Sequence, residues 1–148
     1  MRSFVLLFVA LITFSGYAQQ KLPLRIVENS KEELTKEEHW FQLEVSNTSS
    51  KTVDVLVSIQ NTTCQNMAGR QQSELLFKIF DANKKEVKET LMLNGNSKST
   101  FYIKSIRTPN SRLGSWNCAN VTLLSSSRTA ISQTIELRSL IPNPSNFE

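Results

Sequence analysis

Period-two alternation of apolar and polar side chains is what most restricts this chain. In "FQLEVSN", Phe41, Leu43 and Val45 fall on one face and Gln42, Glu44 and Ser46 on the other. In "TVDVLVSIQ", Val53, Val55, Val57 and Ile59 make one face, with Asp54, Ser58 and Gln60 opposite. Successive side chains of a strand point to opposite sides of its sheet, so such a chain buries one face of each strand and leaves the other in water. Leu56 interrupts the polar set of its run and is expected to touch a loop or a partner.

The pattern recurs along the chain. "KLPLRIVE" places Leu22, Leu24 and Ile26 on one side of an edge-type strand, where Pro23 is tolerated because an edge has backbone groups without ladder partners. "ELLFKIFDANKKEVKETLML" is expected to be a hairpin turning at "DANKK". Leu75, Phe77 and Ile79 share one face, Leu76 and Phe80 the other, and Val87, Leu91 and Leu93 continue on the return strand. "NGNS", Asn94 to Ser97, is a turn signal. "TFYIKSI" follows, with Phe101 and Ile103 opposed to Tyr102, Lys104 and Ile106. "RTPNSRLG", Arg107 to Gly114, is a loop. In "WNCANVTL", Trp116 and Cys118 have one parity and Ala119, Val121 and Leu123 the other. A strand with one buried face does not change phase, so a one-residue bulge is expected near Asn120. "TAISQTIEL" resumes alternation with Ile131, Ile135 and Leu137.

Between the first two strands lies "NSKEELTKEEHW". Ser30 with Glu33 fits a capping box, which predicts a short helix over Lys31–Glu38. Its charge density makes it a solvated crossover. A calcium site at Glu32, Glu33, Glu37 and Glu38 is disfavoured, since the alternating Asp/Asn ligands and the turn glycine of calcium loops are missing. The sum, roughly seven to nine short strands with brief loops and no sustained helical period, predicts an all-β antiparallel sandwich, with a closed barrel as the rival.

The first residues, "MRSFVLLFVALITFSGYAQ", pair a basic Arg2 with the apolar run Phe4–Phe14 and with Gly16 and Ala18 before a cleavage point. That is the layout of a secretory signal peptide. As a helix the run rises about 16 Å, short of a hydrocarbon core of about 30 Å. The expected organisation is a signal peptide at 1–18, a sandwich domain at 19–140 and a mobile C-terminal tail at 141–148, where "IPNPSNFE" carries two prolines. A formal charge of +4, or +3 without Arg2, is spread along the chain and gives no reason to expect nucleic acid. The expected location is the bacterial envelope, either periplasm or cell exterior.

Export bears on the two cysteines. In an oxidising compartment a disulfide is the default, and Cys64 with Cys118 is the one intramolecular pairing. Two free thiols or an intermolecular bridge are the other outcomes. Zinc wants three or four ligands, whereas these cysteines and the single histidine, His39, are far apart in sequence, so no metal is expected. There is no C-x-x-C, G-x-S-x-G, H-E-x-x-H or phosphate-cradling glycine loop, so the sequence offers no catalytic residues and implies no cofactor.

Binding is the remaining chemistry. Trp40, Trp116, Tyr102 and Phe80 are candidates for an aromatic platform; two exposed, coplanar rings would favour carbohydrate. Lys98, Lys104, Arg107 and Arg112 are expected to bracket one loop region and to face solvent or an acidic polymer. The candidate binding set is therefore Trp40, Tyr102, Arg107, Arg112 and Trp116. A protease-inhibiting loop, "CQNMAGR" with Arg70 as anchor, is a third class. The sequons at Asn47, Asn61 and Asn120 are read as turn and surface positions.

The order "FQLEVSN", "TSSK", "VDVLVSI", "LMLNGNSKSTFYIK", "TPNSRLGSW" resembles that of bacterial Ig-like and fibronectin-type-III-like accessory modules, over about Phe41 to Leu124. The resemblance implies an Ig-like sandwich acting as a spacer, adhesion element or surface-complex subunit, with another envelope or surface protein as partner and a glycan as the alternative. It brings no catalytic residues. Cys64 departs from the usual inter-sheet pair, since it follows a strand rather than lying within one. The tail "LIPNPSNFE" also resembles the opening of a type IX secretion sorting domain, the rest of which is absent.

Overall fold

Strands with one apolar face must bury it against a second layer, and this chain does so with two sheets. The computed structural model describes residues 21–29, 38–67, 69–143 and 145. The signal peptide, the capping box and most of the acidic segment lie outside the described residues. So does most of the tail beyond Asn143.

Nine strands form among the described residues: β1 (Leu24–Asn29), β2 (Glu38–Asn47), β3 (Val53–Thr62), β4 (Leu76–Phe80), β5 (Glu86–Val87), β6 (Thr90–Leu93), β7 (Ser97–Ile106), β8 (Ser115–Leu124) and β9 (Ile135–Ile141). One sheet has the order β1-β2-β7-β4-β5 and the other β6-β3-β8-β9. Every ladder is antiparallel. The expected all-β antiparallel sandwich is therefore the fold, at the upper end of the expected strand count. Ile141, the first residue of the expected tail, closes β9.

The alternation sets the core as expected. Phe41, Leu43 and Val45 of β2 and Phe101 and Ile103 of β7 meet Val55 and Val57 of β3 and Val121 and Leu123 of β8. All of these are buried. Burial of one such side chain stabilises by about 1.5–3 kcal/mol relative to exposure. The opposite parity faces water: Gln42, Tyr102 and Lys104 are half-buried and Leu76 is 61% exposed.

Two expectations fail for instructive reasons. The return strand after "DANKK" is not one strand. β5 pairs with β4 through Ile79↔Val87 and Phe80↔Glu86, and then the chain crosses to the other sheet, where β6 pairs with β3 from Leu56↔Thr90 to Val53↔Leu93. Val87, Leu91 and Leu93 keep one parity throughout, because both sheets face the same core.

The bulge near Asn120 is also absent. β8 runs in continuous register against β3, from Thr62↔Cys118 to Leu56↔Leu124, and against β9, from Ser115↔Ile141 to Val121↔Ile135. Its inward set is Ser115, Asn117, Ala119, Val121 and Leu123, all buried. Small polar residues occupy the first two inward places, so the visible apolar pair Trp116 and Cys118 gave the wrong phase. A register shift occurs instead in β1, between Ile26 and Glu28.

The disulfide forms between Cys64 and Cys118. Cys64 lies just beyond β3 and Cys118 within β8, so the bridge joins neighbours of one sheet, on its outer side, rather than the two sheets. Where β3 stops, Gln72 takes its place beside Trp116 in a parallel bridge, with Trp116 N–H donating to Gln71 O at 2.9 Å and Ser73 N–H to Trp116 O at 2.9 Å.

Candidate functional site

Three adjacent strands, β2, β7 and β4, present their outward residues as rows. Register places Trp40 beside Lys104 and Lys78, Gln42 beside Tyr102 and Phe80, and Glu38 beside Ile106 and Leu76. Trp40, Tyr102 and Phe80 meet across these rows. Trp40 and Phe80 have centroids 4.9 Å apart with planes at 49°, and Trp40 and Tyr102 are 6.5 Å apart at 79°. Tilted and edge-on arrangements match the charge distribution of aromatic rings.

Two ammonium groups join the rings. Lys104 Nζ lies 5.4 Å from the Trp40 centroid and 2.6 Å from Glu38 Oε1. Lys84 Nζ lies 5.7 Å from Trp40 and 5.4 Å from Tyr102. Lys84 comes from the "DANKK" turn, where its φ is 58°. Asp81 holds that turn: its Oδ1 accepts from Asn83 N–H and Lys85 N–H, both at 2.9 Å, while Lys84 N–H donates to Asp81 O at 3.0 Å. A lysine in the left-handed region is strained by about 1–2 kcal/mol, so the turn fixes its direction against local preference.

Three of the four aromatics singled out in the sequence, Trp40, Tyr102 and Phe80, come together, while nothing in the sequence pointed to Lys84 or to the exposure of Leu76. A turn lysine carries no signal of where its four-carbon stem will reach.

Other expected site residues are dispersed. Trp116 lies on the outer side of the other sheet, and the Arg70 guanidinium is 5.9 Å from its ring. The four aromatics therefore do not form one platform, and the three that do meet are not coplanar. Of the four basic residues expected to bracket one loop region, Lys98 stands apart, at the far end of β7 from the loop that carries Arg107 and Arg112. Lys98 is near the start of β7, 3.6 Å from Glu44 Oε1, and Lys104 is six residues on, a distance of roughly 20 Å along a strand. Arg107 directly follows β7. Arg112 lies five residues further along the same loop, where its N–H donates to Ser73 Oγ at 3.0 Å. His39 is half-buried in β2 and has bonded company.

Arg112 borders an open depression of about 590 Å³ lined also by Asn61, Ser73, Glu74, Thr108 and Asn110. Polar groups in and beside it are engaged in the fold. Asn61 exchanges two bonds with the Leu75 backbone, at 3.0 and 3.2 Å, and Asn117 Nδ2 donates to Asn61 Oδ1 and Ser73 O, at 2.6 and 2.9 Å. Ser111 Oγ donates to Glu74 O at 3.0 Å. Among the described residues no three His, Cys, Asp or Glu side chains gather as a metal site, and no helix is long and apolar enough to cross a membrane.

No protein-family model matches the chain, and none of the curated proteins does. Among solved structures, it is similar to a FixG-related protein from Vibrio parahaemolyticus, with a TM-score of 0.54 and 12% identity, over 83% of this chain and 97% of that one. A family 123 glycoside hydrolase from Clostridium perfringens gives a TM-score of 0.44 at 11% identity, over 68% of this chain and 20% of that one. The CupB2 chaperone of Pseudomonas aeruginosa gives 0.39 at 18% identity, over 72% of this chain and 48% of that one. At such identities the likeness is one of fold alone.

Proposed function

We propose that this chain is a non-catalytic, exported, immunoglobulin-like sandwich that works through protein contacts, as an accessory or adhesion-type subunit of the bacterial envelope or surface. The observation that carries the reading is the outer face of the five-stranded sheet. Trp40, Phe80 and Tyr102 meet there under Lys84 and Lys104, and the 61% exposed Leu76 lies four residues from Phe80 on the same outer face of β4, with Lys78 between them. Aromatic side chains are what the centre of an interface concentrates, while lysines are depleted there and belong to its polar rim. On the outward parity of its strands, such a patch has no part in the core and is suited to a partner.

Three further observations support the reading. The grouping β1-β2-β7 against β3-β8-β9 parallels the A-B-E and C-F-G strands of immunoglobulin domains. The disulfide agrees with an oxidising compartment. Asn61, which lines the polar depression, is spent on bonds to the Leu75 backbone and so serves the fold there. A carbohydrate platform is not supported: the rings stand at 49° and 79°, and lysines already lie over Trp40.

The test is quantitative affinity capture from the native envelope, comparing wild type with Trp40→Ala and Lys84→Gly. Lys84→Gly also relieves the strained φ, so it is expected to fold at least as well as wild type. Capture of one partner is expected to fall at least tenfold in both variants. Equal recovery with all three proteins sinks the reading, and glycan-array binding lost in Trp40→Ala replaces it with a carbohydrate-binding one.

A further inference from the structure

The two lateral sides of the sandwich are closed differently. Where β1 and β9 come together, hydrogen bonds sew the sheets: Leu22 N–H donates to Ile131 O at 2.6 Å, and Gln133 Nε2 to Leu24 O at 2.8 Å. A parallel bridge between Leu22 and Ser132 lies beside them. On the opposite side the sheets part. β2 follows β7 along its whole length, to Asn47↔Ser97, but β4 follows it only from Ile106 to Phe80↔Tyr102. Among the described residues, the Ser97–Phe101 half of β7 thus has a strand neighbour on one side alone. Facing it from the other sheet is β6, itself an edge strand. Between them opens a cleft of about 570 Å³, with Leu91, Leu93 and Phe101 at its base and Met92, Lys98 and Thr100 at its rim.

The chemistry of this edge identifies its occupant. In an antiparallel ladder alternate residues direct both N–H and C=O to the same neighbour. Two of the four residues Lys98–Phe101 therefore offer their backbone groups to the open side, along roughly 13 Å of strand. An extended backbone matches that spacing. The inward parity of the site is apolar and the outward parity polar, so the incoming strand must alternate likewise. Charge narrows it further. Glu44 is shared by two cations, Arg25 Nη2 at 2.9 Å and Lys98 Nζ at 3.6 Å, and the Lys98 side chain is 67% exposed. The cleft's other lining charge, Asp81, is turned to its own loop, where Oδ1 accepts from Asn83 N–H and Lys85 N–H, so Lys98 is the charge at the rim that an incoming acid can meet.

We propose that this half-edge of β7 accepts an extended strand from a partner protein, which continues the five-stranded sheet beyond the end of β4. Its apolar side chains lie over Leu91, Leu93 and Phe101, and an Asp or Glu at an outward position meets Lys98. This rests on the protein-binding reading above but names a different surface, and strand addition of this kind takes its affinity from main-chain hydrogen bonds.

The test is selection of ten-residue peptides from a random library on the purified, oxidised full chain. Enriched sequences are expected to alternate apolar and polar residues with an acid in the outward set, and to slow hydrogen exchange within Lys98–Phe101. N-methylation at alternate peptide residues in one register should weaken binding at least tenfold, and in the other register leave it unchanged. Lys98→Glu should weaken it about tenfold, with rescue by Lys in place of the peptide's acid. Trp40→Ala should have no effect, so failure here and failure of the aromatic face are read separately. The inference is overturned if no sequence is enriched, if both N-methylated registers bind equally, or if protection falls elsewhere.

Discussion

Asn47 ends β2 almost fully buried, and its side chain joins two turns that are far apart in sequence. Its Nδ2 donates to Lys51 O at 2.8 Å, Asn94 O at 3.0 Å and Leu93 O at 3.3 Å, while its Oδ1 accepts from Ser49 N–H at 3.1 Å and Ser49 Oγ at 2.8 Å. Gly95 closes the same junction from the other side, where a Cβ would stand 2.3 Å from Ser50 O. That contact is with backbone, so no side-chain rotation relieves it. Asn47→Ala leaves buried carbonyls without a donor and is expected to lower stability by about 2–3 kcal/mol. Gly95→Ala is expected to lower it by about 1–3 kcal/mol through overpacking. Because both act on one junction, the double variant should cost less than the two together. Urea unfolding of the three variants checks this; strict additivity would mean the two residues hold separate structures. Both turns were legible as "NTSSK" and "NGNS". Their clasp was not, because a surface-type asparagine looks the same in sequence whether it faces water or a carbonyl 46 positions away. The sequon reading of Asn47 as a surface residue fails for the same reason, since the amide nitrogen is committed to the fold.

Among the elements, the segment from Gln71 to Leu75 behaves as a substitute strand. It takes the place β3 vacates beside β8, and the Asn61 side chain imitates a ladder by exchanging two bonds with Leu75. Asn117 then ties Asn61 to Ser73 from the inward face of β8. Asn61→Ala removes the hub of these bonds while leaving the apolar core intact. It is expected to speed hydrogen exchange at the Ser73 and Leu75 amides with little change in the centres of β2 and β7, and to lower global stability by about 1–3 kcal/mol. Uniform acceleration across both sheets would show instead that the segment is part of the folding core. The long strands were readable because their own side chains report burial every second residue. β8 misled at its first half because Ser115 and Asn117, satisfied by Oγ and Nδ2 bonds, occupy core positions in polar form. The crossing from β5 to β6 left no trace, since alternation records inward and outward but not which sheet a strand has joined. The same limit hid the short reach of β4, and with it the open half-edge of β7.

For the molecule as a whole, the disulfide is the one covalent tie among contacts that are otherwise weak and numerous. It closes 54 residues, a stretch that contains β4, β5, β6 and β7 and so draws on both sheets. The cysteine pairing was legible from the expectation of export and from the count of two; that it lies within one sheet's outer side was not, because Cys64 reaches Cys118 only after β3 has ended. A cross-link of this span restricts the unfolded chain far more than the folded one, where Thr62↔Cys118 pairing already holds the ends together. The chain-entropy account gives about 4 kcal/mol for such a loop. Typical domains have about 5–15 kcal/mol in total, so the bridge is a large share of what keeps this one folded. The Cys64→Ala/Cys118→Ala double variant is expected to retain its β-rich circular dichroism at low temperature but to lose about 3–4 kcal/mol in urea unfolding. Its unfolded state, freed of the loop, exposes more surface, so the denaturant slope should rise as the midpoint falls. A loss below about 1 kcal/mol with an unchanged slope would place the stability of this sandwich in its two apolar faces alone and remove the entropic role assigned to the bridge.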